Sequence, residues 1–86
     1  GPIDAAFKAV DEIMNVQGEL QEFSVNAVTH GIDALGEVTV RVRCAEGDVF
    51  IGRASDGDII VSSTKAYLHA LNRMISRDRA RKAKRA

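Results

Sequence analysis

The chain of 86 residues is long enough for one small domain with a modest core, and its 45% apolar and 28% charged residues exclude a disordered chain. Twelve acidic and twelve basic residues cancel, but six of the bases and one of the acids fall in 77–86, which leaves an acidic body and a basic tail. No apolar run approaches the roughly 20 residues that span a bilayer and no signal peptide is visible, so the sequence reads as cytoplasmic, without a membrane partner. A single cysteine, Cys44, excludes an internal disulfide and, with two separated histidines, the usual four-ligand zinc site.

Ile3, Phe7, Val10 and Met14, with Ala6 and Ile13, form one stripe at helical spacing. Pro2 suits a first turn whose amides are unpaired anyway, and Asp4 suits the positive end of the dipole. A helix over about 2–15 is predicted, ending near Gly18.

From Glu22 the period becomes two, with Phe23, Val25 and Ala27 alternating with Ser24, Asn26 and Val28, which predicts a strand to His30. The segment His30 to Val38 reads as a connecting loop with glycines near both ends. Its apolar Ile32, Ala34 and Leu35 imply that the loop covers something. Val38, Val40, Val42 and Cys44 then share one face of a second strand, against Glu37, Thr39, Arg41 and Arg43 on the other. Glu46-Gly47 predicts a tight turn into a third strand, Asp48 to Ala54, with Val49 and Ile51 in the inward phase.

After the loop Ser55-Asp56-Gly57-Asp58, a second helical stripe runs through Ser63, Ala66, Tyr67, Ala70, Leu71, Met74 and Ile75. Asp58 or Ser55 is its expected cap, and Ile59 to Val61 read as the end of a strand or a buried first turn. The order helix, three strands, helix predicts an α+β fold of two layers, with an antiparallel three-stranded sheet. The basic residues 77–86 read as a helical or frayed tail whose cations suit a helix C-terminus. Without an aromatic residue to stack on a base, this tail gives no reason to expect nucleic acid.

No nucleophile, base and orienting group fall in a recognisable local motif, so no catalytic residue and no metal ligand are expected in this chain. His69 reads as a surface or half-buried histidine and Cys44 as a small core residue. The loop before the second helix offers free amides for a carboxylate and two aspartates for an ammonium, the pair of groups that a free amino acid carries. The plainer reading is a capped helix.

The segments "GPIDAAFKAV", "GIDALGEVTVRV" and "DIIVSSTKAYLHALNRM" together resemble the C-terminal regulatory domain of the 2-isopropylmalate synthases, over about residues 1–75. The resemblance implies two pseudo-symmetric βββα units: here the helix of the first (1–15) and the whole of the second (22–76), with 77–86 outside. It also implies a homodimer attached to a catalytic TIM barrel whose divalent metal lies outside this chain, with no cofactor in the chain itself. L-leucine is the implied effector and feedback inhibitor. By similarity its pocket draws on Gly1, Pro2, Ile3 and Asp4 at the first helix. It also draws on Ala27, His30 and Ala34 in the strand and loop, and on Ser55, Asp56 and Gly57 before the second helix. Two alternatives stay open: the isoleucine-sensing domain of a citramalate synthase, and a purely structural dimerisation module.

Overall fold

A computed structural model describes residues 1–85; Ala86, the last residue of the expected tail, lies outside the described residues. The elements are α1 (Pro2–Met14), β1 (Glu19–His30), β2 (Asp33–Arg43), β3 (Val49–Asp56) and α2 (Ile59–Arg85). The strands form one antiparallel sheet in the order β1-β2-β3, and both helices lie on one side of it, so the expected α+β layout holds.

α1 begins on Gly1 with Pro2 in its first turn and stops at Asn15, whose φ of 50° places it in the left-handed region. Asparagine tolerates that conformation, so the helix closes before Gly18, the expected stop. Gly18 serves packing instead, because a Cβ there would overlap Val42 and lie 3.4 Å from Leu71. Of the predicted stripe, Phe7 and Val10 are buried and Ile3 and Met14 pack against the core, whereas Ile13, on its flank, is 84% exposed.

β1 starts at Glu19, three residues before its expected start. The register slips between Leu20 and Glu22, a bulge that puts Gln21 out of phase and hides the alternation from sequence. The expected loop from His30 to Val38 is mostly strand. His30 pairs with Asp33, leaving a two-residue turn at Gly31-Ile32. Gly31 supplies the required positive φ, 65°, in the first central position.

Val38, Val40 and Val42 are wholly buried, as their alternation implied. The phase expected for β3 is reversed. Val42 pairs with Phe50, Val40 with Gly52 and Val38 with Ala54, so Phe50, Gly52 and Ala54 face the helices while Val49 and Ile51 face outward. Val49 is accordingly exposed, and Phe50 packs against the core.

α2 buries Ser62, Ser63, Ala66, Tyr67, Ala70, Leu71 and Met74 against the sheet and α1. It continues unbroken to Arg85. Arg77, the first residue of the basic stretch, is anchored: its guanidinium lies 4.8 Å over the Phe50 ring and donates to Asp48, Glu46 and Asp78. It also reaches the Cys44 sulfur at 3.4 Å, so this cation ties α2 to the β2–β3 hairpin.

The two helices run in the same direction. Phe7 stacks on Tyr67 with centroids 4.3 Å apart, the Tyr67 hydroxyl donates to Asp11 at 2.5 Å, and Gly18, beyond the end of α1, meets Leu71 and Met74. Burial first, and then the Asp11 carboxylate, push the Tyr67 phenol well above its ordinary range. The folded chain therefore holds this proton more tightly than the unfolded chain, whose tyrosine titrates near about 10. The contribution is complete below that pH and declines as pH rises above it. Tyr67→Phe is expected to flatten the alkaline fall in stability, read as urea midpoints between neutral and strongly alkaline pH; an unchanged slope would assign that fall to other groups.

Candidate functional site

Strand alternation decides which expected residues meet. Ala27 pairs with Gly36, and Gly36 with Asp56, so these three form one row on the helix-facing side of the sheet. Ala34, two residues before Gly36, shares that face with its partner Thr29. His30 and Ser55 have the opposite phase and face away from the helices, so the structure does not bring them to the surface that holds Ala27 and Ala34.

Two helix N-termini lie at this end of the sheet. Ile59, in the first turn of α2, sits over Gly36, where any Cβ would overlap its side chain. α1 runs parallel to α2 and meets Phe23 through Phe7 at 6.3 Å, which carries Gly1 to Asp4 toward the same end. Ile3 packs against the core, while Gly1, Pro2 and Asp4 are exposed. All three expected segments thus reach one end of the domain, with Ala27, Ala34 and Gly36 as a shelf of small residues.

The Ser55–Asp58 loop resolves into a cap and a turn. Asp58 Oδ1 accepts from the Ile60 amide at 2.8 Å and the Val61 amide at 3.4 Å, which makes it the helix cap. Asp56 Oδ1 accepts from the Asp58 amide at 2.9 Å, and its other oxygen lies 3.7 Å from Lys65 Nζ. Ile59, Ile60 and Val61 form a helical first turn that stays partly exposed, not a strand end or a buried turn. Ser62 donates to the Ile59 carbonyl, while the wholly buried Ser63 hydroxyl has no partner.

Sequence reading missed Gly36 and Ile59, although the alternation of Val38, Val40 and Val42 continued backward places Gly36 and Ala34 on the inner face. It also missed what α2 does to the outer edge of β3. The His69 ring nitrogen Nδ1 lies 2.8 Å from the Arg53 carbonyl, and Arg73 donates to the Ile51 carbonyl at 3.3 Å. A cleft of about 550 Å³ lies along this edge, lined by Ile51, Gly52, Arg53, His69, Asn72 and Arg73, and includes none of the expected effector residues. Among the described residues no cluster of His, Cys, Asp or Glu could hold a metal ion, and no helix is long and apolar enough to cross a membrane.

A small two-layer α+β scaffold, with apolar side chains exposed on its edge strand β1, belongs to the class of domains that assemble with further polypeptide. The family model described as the LeuA allosteric (dimerisation) domain matches residues 1–75, and the chain belongs to that family. Similar proteins include the 2-isopropylmalate synthase of Olsenella uli, 56% identical over 84 residues, which are 98% of this chain and 16% of that protein. That of Trichodesmium erythraeum is 58% identical over 74 residues, 86% of this chain and 14% of that protein. The Gloeothece citriformis protein is 49% identical over 89 residues, covering 100% of this chain and 16% of that protein. The chain thus spans 16% or less of the length of these relatives. No solved structure matches it.

Proposed function

We propose that this chain is the leucine-sensing, dimerising part of a cytoplasmic 2-isopropylmalate synthase, an enzyme that condenses acetyl-CoA with 2-oxoisovalerate on a metal-dependent TIM barrel. The observation that carries the reading is the meeting of two parallel helix N-termini with a shelf of small residues, Ala27, Ala34 and Gly36, at one end of the sheet. Helix N-termini favour a carboxylate, and small Ala27 and Ala34, beside the Ile59 side chain that covers Gly36, suit contact with a branched aliphatic side chain. Asp4, exposed in the first turn of α1, offers a carboxylate for the amino group. Leucine held there regulates the barrel only through its differential affinity for two arrangements of the dimer, typically about 1–3 kcal/mol of coupling.

Calorimetric titration of the chain with L-leucine is expected to give saturable heat, with L-isoleucine weaker. Ala27→Leu fills the shelf at an exposed position and is expected to weaken leucine by more than about tenfold, a loss of about 1.4 kcal/mol, without lowering the unfolding midpoint. Isoleucine preferred would point to a citramalate synthase. Absence of heat from either amino acid would favour a dimerisation module without an effector, a reading supported by the engagement of Asp56 with the Asp58 amide and Lys65.

A further inference from the structure

The two edges of the sheet differ. On β2 and β3, the pairs Gly36–Asp56, Val38–Ala54 and Val40–Gly52 leave the carbonyls of Ile51 and Arg53 pointing outward, and α2 covers these with Arg73 and His69. This edge is closed to another strand. At the other edge, the two-residue turn makes His30–Asp33 a hydrogen-bonded pair, so Val28, Asn26 and Ser24 also spend their backbone groups on β2. Phe23, Val25, Ala27 and Thr29 then direct theirs outward, and among the described residues no side chain hydrogen-bonds to any of them.

Edge strands are normally defended by lysine, proline, a bulge or a covering element. β1 carries its bulge at Gln21, beside its start, and from Phe23 to Thr29 it has neither a charge nor a proline. Phe23 and Val25 on this stretch are 36% and 43% exposed.

The geometry points to β1 as the seam between two copies of this chain, paired antiparallel about a two-fold axis at Asn26, so that two three-stranded sheets become one continuous sheet. The inference rests on the dimerisation part of the reading above and names its surface. Pairing of an acid with an imidazole at both ends favours one register. With Asn26 opposite its own copy, Val25 faces the partner's Ala27 and Phe23 faces the partner's Thr29. These are the outward-bonding residues, as an antiparallel ladder requires. Glu22 then stands opposite the partner's His30, on the face where Arg41 already lies 3.7 Å from Glu22. No like charges oppose each other, and both ends of the seam carry the same acid–imidazole pair. His30, which the strand phase turns away from the small-residue shelf, acquires a role at the interface.

The test is site-directed cross-linking together with sedimentation equilibrium on the 86-residue chain. Opposed non-hydrogen-bonded residues of an antiparallel pair lie about 4.5 Å apart at Cα, within disulfide reach. Asn26→Cys is therefore expected to oxidise to a covalent dimer. Ser24→Cys and Val28→Cys should not do so alone, but should cross-link when mixed. Val25→Pro removes an outward amide and leaves the β1–β2 ladder intact, and is expected to weaken dimerisation at least tenfold with strand circular dichroism retained.

A dimer that survives Val25→Pro, with no cross-link at Asn26→Cys, would overturn the seam and leave dimerisation standing. A chain that is monomeric without any substitution would overturn both. Should Val25→Pro fail to fold, the pattern of cysteine cross-links decides alone.

Discussion

Replacing Gly52 by alanine is expected to cost about 3 kcal/mol or more, and replacing it by valine to unfold the chain. Overpacking a core costs about 1–3 kcal/mol when side chains can yield. Here the opposing atoms are backbone: a Cβ on Gly52 would overlap the Ala66 carbonyl oxygen and lie 2.7 Å from the Ala70 amide nitrogen. Accommodating it means lifting α2 from β3 along the buried faces of Ala66, Ala70 and Leu71. A chain of this size holds on the order of 5–10 kcal/mol in total, so about a third or more of its stability would be lost. Gly36→Ala is the control, because the Cβ there meets only the flexible end of Ile59, and its cost should stay below about 1 kcal/mol. Urea midpoints of the two variants settle the comparison; equal losses would mean that the contact between α2 and β3 is not the tight one.

Leu71→Ala is expected to cost about 3 kcal/mol, within the range of about 2–5 measured for such truncations in packed cores. Leu71 is wholly buried and lies beside Gly18, where the chain passes from α1 to β1. Ala70 and Met74, its neighbours on α2, are packed against backbone and core and have little freedom to fill the space. The contrast is Ile13→Ala on α1. Ile13 is equally apolar in sequence but 84% exposed, and its truncation should stay within about 0.5 kcal/mol. Denaturant melts of both variants test the assignment, and similar losses would show that Ile13 has a cover of its own in solution.

What the residues disclosed beforehand follows the strength of each local pattern. The stripe from Ser63 to Met74 and the alternation of Val38, Val40 and Val42 are unbroken, and both were buried as read. The phase of β3 was not legible. Val49 and Ile51 are better strand formers than Gly52, yet register through the hairpin and the close approach of α2 put the glycine inside. The start of β1 was hidden by one bulged residue, and the His30–Val38 connection by glycines that resemble loop punctuation inside a continuous ladder. Among the expected effector residues, Ala27, Ala34 and Asp56 share a face, while His30 and Ser55 do not. Resemblance places segments, whereas strand parity places side chains. The capping of β3 by His69 and Arg73 leaves no local trace, because it depends on where a helix crosses an edge.

Among the described residues the backbone of α1 lies close to that of α2 and to no strand, and α1 meets the sheet through side chains in the shared core, Phe7 against Phe23 among them. A helix held by side chains alone is expected to exchange its amides sooner than β2, β3 and the buried part of α2, which hydrogen exchange would read out. If the first turn of α1 does seat an effector as proposed, its occupancy is expected to slow that exchange, and a message would leave the domain as stiffness without a change in average shape.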